Sequence, residues 1–331
     1  MVQPHRHQNS TATRETKHRW SLLLAVFLGG CTSFAPKDSK EREDGVDTVD
    51  TGIEAPVDTG ETAEPGDTGD STPSGYEVCY PGAGAEVCLP LVAHSTSWGA
   101  DYEYPAPYQG SAQYTAPVRF LDLSTADPSL FLSENFLLEE LMQEYKGRYA
   151  LFQVHALESL QALRELTGGA LYVNSGYRNV TYNEDVEGVT NSRHMFGDAV
   201  DMHSGVASLQ GLADGCGALS ASYVGLYETH VHCDWRDHPL DPAFFDVDAG
   251  RAGPPAPSHT AVLTQTRERL FSAKATGFDE GEPLRQWRAF DKADRLLDAA
   301  TSRTYTPPPN AHRLEVVVGG QVVLTERLNK P

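Results

Sequence analysis

Ser192-Arg193-His194-Met195-Phe196-Gly197-Asp198-Ala199-Val200-Asp201 and, further along, Tyr227-Glu228-Thr229-His230-Val231-His232-Cys233-Asp234-Trp235 concentrate the polar residues that a surface or a core explains least well. Gly197 to Asp201 reads as a turn entering a strand. If His230 to Trp235 is also a strand, its alternation puts His230, His232 and Asp234 on one face and Val231, Cys233 and Trp235 on the other. One face is then chemical and the opposite one is core, with Cys233 aimed away from the polar groups. Neutral imidazole and carboxylate each present a lone pair to a borderline-soft cation such as zinc, and two histidines with one aspartate leave a fourth tetrahedral position open, as a catalytic zinc requires. The His-x-His tripeptide alone fits an ordinary surface strand equally well.

Outward from these segments, Ala170 to Asn174 reads as a buried strand leading into Ser175-Gly176-Tyr177-Arg178, and Tyr223 to Trp235 as a hairpin. The apolar-periodic stretch Ser133 to Leu166 reads as two helices. In the second, Val154, Leu157, Leu160, Leu163 and Leu166 recur every three residues and Gly168-Gly169 supplies a stop. A Pro/Tyr-rich segment from Tyr76 to Tyr114 reads as irregular. Helices and strands are segregated rather than alternating, which favours an α+β domain. A composition break at Arg251-Ala252-Gly253-Pro254-Pro255-Ala256-Pro257 separates it from short β-like runs. There Gly319-Gly320 between Leu314–Val318 and Gln321–Leu324 is a hairpin signal, read as part of a small β-sandwich-like accessory domain.

The chain of 331 residues has a net charge of −20, which argues against nucleic acid as a partner and against a polybasic grip on an anionic membrane. Its longest apolar run, Trp20 to Gly30, is about half of the roughly 20 residues that span a bilayer. Basic residues before that run and Leu28-Gly29-Gly30-Cys31 at its end read as an export signal whose last residues resemble a lipobox, with Cys31 to be acylated, the alternative being an ordinary secretory signal with an incidental cysteine. From Thr32 to Ser74, twelve acidic residues stand against Lys37, Lys40 and Arg42, and Asp-Thr-Gly recurs at Asp50, Asp58 and Asp67. Such a stretch has little to bury and reads as a solvated, self-repelling tether rather than a calcium site. Four cysteines remain in an exported chain, and proximity favours Cys79–Cys88 and Cys216–Cys233 among three pairings. The expected organisation is a signal over 1–31, an acidic linker over 32–75, the α+β domain over 76–250 and the all-β accessory domain over 256–331.

Ser192-x-His194-x-x-Gly197-x-Ala199-x-Asp201 followed by His230-x-His232 resembles the zinc D-alanyl-D-alanine carboxypeptidase family, which shares a fold with lysostaphin-type peptidases and the hedgehog signalling domain. The likeness runs from about Leu132 to Arg236 and includes Ser-Gly-Tyr-Arg at Ser175 to Arg178 and Tyr182-Asn183. It implies an antiparallel sheet with helices, one Zn2+ held by His194, Asp201 and His232, and Arg178 as oxyanion donor or holder of a substrate carboxylate. Several relatives carry Glu or Asp three residues before the last zinc histidine, where this chain has Thr229. The general-base role therefore passes to His230, with Glu228 as second choice. His203, two residues past Asp201, shares its face if the strand continues and could then touch a ligand, but like His94, His155, His238, His259 and His312 it reads first as an ordinary residue. The implied protein is a lipid-anchored, exported, monomeric metallopeptidase acting on peptidoglycan stem peptides. Two rivals are a zinc-stabilised module that binds wall peptides or another protein without cleaving them, and a calcium-dependent adhesin built on the acidic repeats.

Overall fold

A computed structural model describes residues 75–246, 259–278 and 281–328. The export signal, Cys31, the acidic stretch to Ser74 and the Pro-rich break at 251–257 lie outside the described residues.

Strands β1 (Glu77–Tyr80) and β2 (Val87–Pro90) form a hairpin in which Cys79 and Cys88 face each other and are disulfide-bonded. The Pro/Tyr-rich stretch is more regular than its composition suggests. After β3 (Val92–Ala93) it makes three 3-10 turns, Thr96–Tyr102, Tyr108–Gly110 and Ala112–Tyr114, before β4 (Arg119–Asp122). Its aromatic rings supply the order, as in the stacking of Trp98 on Tyr149 at 3.6 Å.

The two helices expected across Ser133 to Leu166 resolve into one. The first half holds only the single turn α1 (Leu138–Leu141) and a 3-10 turn, Glu144–Lys146, and β5 (Tyr149–Ala150) then pairs with β4 in the sheet β3-β4-β5. Gly147, at φ +143°, breaks any longer helix, and a Cβ there would lie 2.9 Å from Asn179 Cβ. The second half is α2 (Val154–Thr167), which buries Ala156, Leu157, Leu160 and Leu163 and ends on Gly168 in the left-handed conformation.

The rest of the first core is built from β6 (Leu171–Ser175), α3 (Val180–Asp185), β7 (Ala199–Ser204), α4 (Leu209–Ala218), β8 (Tyr223–Leu226) and β9 (Val231–Asp234). The four strands form an antiparallel sheet in the order β6-β7-β9-β8. Val200, Met202, Val231 and Cys233 enter the core with α2 and α4, and Cys233 is bonded to Cys216 of α4. The intervening residues Asp201, His232 and Asp234 occupy the other face. Because the β7–β9 register sets Asp201 opposite His232, two residues far apart in sequence become cross-strand neighbours.

From residue 260 onward the described residues form strands: β10 (Thr260–Arg267), β11 (Leu270–Thr276), β12 (Arg285–Phe290), β13 (Leu296–Thr301), β14 (Thr304–Tyr305), β15 (Arg313–Val318) and β16 (Val322–Arg327). They make the sheets β10-β11-β14 and β13-β12-β15-β16. Phe271, Ala273 and Tyr305 of one sheet and Trp287, Leu314, Val316 and Val318 of the other share a core separate from the first. Gly319 and Gly320, both at positive φ, turn β15 into β16.

Candidate metal centre

His194 sits on a 3-10 turn, Arg193–Phe196, closed by Gly197 at φ +69°. A Cβ at Gly197 would lie 2.6 Å from the Leu151 carbonyl oxygen, so glycine is required there for both reasons. The turn is pinned from inside. Arg193 donates Nε–H to Asp198 at 2.8 Å, pairs with the same carboxylate through Nη2, and donates Nη1–H to the Gln113 carbonyl at 2.6 Å. Both members of this ion pair are fully buried, where a charge must be matched. The Ser175-Gly176-Tyr177-Arg178 turn is fixed just as tightly: Tyr177 N–H donates to the Leu141 carbonyl at 2.8 Å, and a Cβ on Gly176 would lie 2.2 Å from that oxygen.

The result is a convergence of three buried side chains. His232 Nδ1 lies 2.9 Å from Asp201 Oδ1, His194 Nε2 lies 3.2 Å from Asp201 Oδ2, and the two ring nitrogens are 3.1 Å apart. The donor atoms of all three residues fall within 4.8 Å of one another. Each ring is oriented through its other nitrogen: His194 Nδ1 is 2.7 Å from the Gly176 carbonyl oxygen and His232 Nε2 is 3.3 Å from Asp234 Oδ2. Asp234 is held in turn by Arg236, whose Nε donates at 2.7 Å. With those nitrogens donating, His194 Nε2 and His232 Nδ1 point their lone pairs at a common place beside a carboxylate. Two nitrogens and an oxygen arranged this way suit zinc, and the residues fit the ion.

Electrostatics agree. Burial disfavours charge on His232, but the carboxylates of Asp201 and Asp234 outweigh it and push the imidazole up to about 10. Burial and Arg178 hold His194 below its ordinary value. Burial opposes charge on Asp201, but His194, Arg178 and the hydrogen bonds from both rings keep it well below the usual carboxylate range. A divalent ion must therefore displace the proton on His232. Apparent zinc affinity should rise with pH, by about tenfold per unit where one proton is released. The same proton stabilises the metal-free fold, completely below the ordinary histidine value of 6.5 and not at all once pH has risen past about 10. Zinc calorimetry in buffers of different ionisation enthalpy should report the released proton, and a pH-independent affinity would contradict this assignment.

The remaining sequence-predicted residues divide. His230 lies at the same cluster, with Nε2 3.8 Å from Asp201 Oδ1, and its ring stacks on Tyr227 at 4.4 Å. Thr229 Oγ1 is 3.1 Å from His230 Nδ1. Thr229 cannot act as a base, yet its Oγ1 can accept a hydrogen bond from Nδ1–H and leave the Nε2 lone pair facing the site. Arg178 is buried completely, donating Nε–H to Ser175 Oγ at 2.8 Å and Nη2–H to Asp201 Oδ2 at 2.5 Å. In this arrangement it braces Asp201 and exposes no surface to a substrate. Glu228 points elsewhere, bound by Arg303 Nε at 2.9 Å and Nη2 at 2.7 Å, and that guanidinium lowers its pKa. His203 bonds Asn174 Oδ1 at 2.9 Å and stacks on Tyr172. His259, read from the sequence as an ordinary residue, lines the same narrow cleft as His232 and Tyr223. Asp234, Arg236 and Thr229 carried a readable signal, since the first two share the chemical strand and its end and the third adjoins His230. Gly176 lies in the Ser-Gly-Tyr-Arg motif already singled out, whereas Leu141 acts through a backbone atom and carried none.

Residues 134–234 match the family described as peptidase M15, and that span contains His194, Asp201 and His232. Over 145 residues the chain is 30% identical to the zinc D-Ala-D-Ala carboxypeptidase of Streptomyces albus G, an alignment covering 40% of this chain and 57% of that protein. The chain thus spans little more than half the length of that curated relative.

Proposed function

We propose that this protein is a zinc peptidase that cleaves peptidoglycan stem peptides, at D-Ala-D-Ala or a related crosslink, in cell wall remodelling. The observation that carries the reading is the convergence of His194 Nε2, Asp201 and His232 Nδ1 inside the span that matches peptidase M15. An ion held there supplies Lewis acidity and brings water within reach of ionisation at neutral pH. His230 Nε2, beside Asp201 and backed by Thr229, accepts the proton from the attacking water and returns it to the leaving amine. The protonated His230 also faces the negative charge that develops on the peptide oxygen. Arg178 keeps Asp201 ionised and in register, and Asp234 fixes the tautomer of His232.

The same proposal takes the chain as exported and anchored through a lipid on Cys31, with the acidic segment as the tether that lets the domain reach the wall. Purified protein incubated with muropeptides should release D-alanine or open crosslinks, and chelation should stop it. Zinc uptake and peptide binding with no product under any metal condition would instead support the non-catalytic binding module.

A further inference from the structure

Strand β8 is an edge of the sheet that carries the metal ligands, and an edge strand exposes amides and carbonyls that need cover. The C-terminal β region supplies that cover. Leu284 N–H donates to the Leu226 carbonyl at 2.8 Å, Leu226 N–H to the Gly319 carbonyl at 3.0 Å and Glu228 N–H to the Glu282 carbonyl at 3.0 Å. Tyr227 and Pro283 form an antiparallel bridge between them. The covered segment is the one that turns through Thr229 and His230 into β9. Side chains extend the contact: Arg303 grips Glu228 in the bidentate pair, and His259 stacks on Tyr223 at 4.7 Å with Nε2 2.9 Å from its hydroxyl. Gly281, at φ +98°, sits where a Cβ would lie 3.2 Å from His230 Cε1 and 3.4 Å from Tyr227 Cδ1. The imidazole is therefore bounded by the Tyr227 ring and by backbone of the C-terminal region.

We propose that the C-terminal β region is a positioning element of the catalytic site, clamping the Leu226–His230 turn and thereby fixing the His230 imidazole beside Asp201. A hairpin turn is ordinarily the most mobile part of a sheet, and a misplacement of about 1 Å in a reacting group can cost roughly 100-fold in rate. The Arg303–Glu228 pair alone is exposed and weak, so the clamp acts through the backbone bonds and the close approach of Gly281 as well. The inference rests on the reading of His230 as the proton-transfer group.

Two variants of the full chain test it. Gly281→Ala adds a methyl against the His230 ring, and Arg303→Ala loosens the clamp without adding bulk. Both should lower kcat, Gly281→Ala by roughly 10- to 100-fold and Arg303→Ala by less, with KM and bound zinc unchanged. Amide exchange at Leu226 and Glu228 should quicken, the His230 15N resonances should move, and Arg303→Lys should recover part of each change. If Gly281→Ala does not fold, Arg303→Ala decides. Wild-type kcat, exchange and His230 resonances in Arg303→Ala would overturn the proposal, as would a loosened turn with unchanged kcat. Should the unaltered protein cleave no peptide, the peptidase reading fails, and the His230 resonances judge the clamp alone: moved, it stands; unmoved, it falls.

Discussion

Asp201→Asn is expected to remove bound zinc and peptide turnover together. The substitution keeps the shape of the side chain, so packing on β7 is preserved, but it removes the one negative charge among the three proposed ligand side chains. That charge faces His194 at 3.2 Å, His232 at 2.9 Å and Arg178 at 2.5 Å. Altering a group that merely supports a ligand typically costs about 10- to 100-fold in metal affinity, and replacing the ligand itself must cost more. The fold should also suffer, because Arg178 is wholly buried and loses its counter-charge. Breaking such a pair costs roughly 3–5 kcal/mol, with the amide oxygen of Asn placing this case at the lower end. Metal analysis, a thermal melt and a turnover assay on one preparation would check all three effects. Full zinc content in the variant would mean that Asp201 is not a ligand.

His230→Gln should behave differently, leaving zinc content and stability near those of the unaltered protein while kcat falls by about 10²- to 10⁴-fold, the usual worth of a positioned acid–base group. The two predictions separate because His230 stands outside the proposed ligand triad, 3.8 Å from Asp201, on the turn rather than in the strand. KM should change little, since proton transfer belongs to the transition state. A loss of only a few-fold would move the base role away from His230. Glu228 is poorly suited to inherit it, because Arg303 binds both of its oxygens and stabilises the carboxylate.

The helix over Val154–Thr167 was legible because its apolar period and its terminal glycine are local signals. The full helix expected before it did not form, because Tyr149 and Ala150 pair with β4, a long-range bond that local periodicity does not record. The alternation of His230 to Trp235 foretold which residues of β9 share the face of Asp201 and which face the core, and the cysteine spacing foretold both disulfides. The expected substrate-facing role of Arg178 could not be tested by spacing. A guanidinium beside a candidate metal-binding aspartate can face either the solvent or the carboxylate, and only burial distinguishes the two.

By itself the sequence determined the opposition of chemical and core faces on β9, which follows from the fixed two-residue alternation of an extended chain, while the candidate donor set His194, Asp201 and His232 was implied by the resemblance of its motifs. The tertiary structure decided what depends on pairing between distant segments: the register that sets Asp201 against His232, the burial that makes Arg178 a brace, and the capture of Glu228 by Arg303. It also decided the presence of His259 and Gly281 at the site, because a strand's partner is selected by the packing of the whole molecule and leaves no trace in the spacing of the residues it brings together.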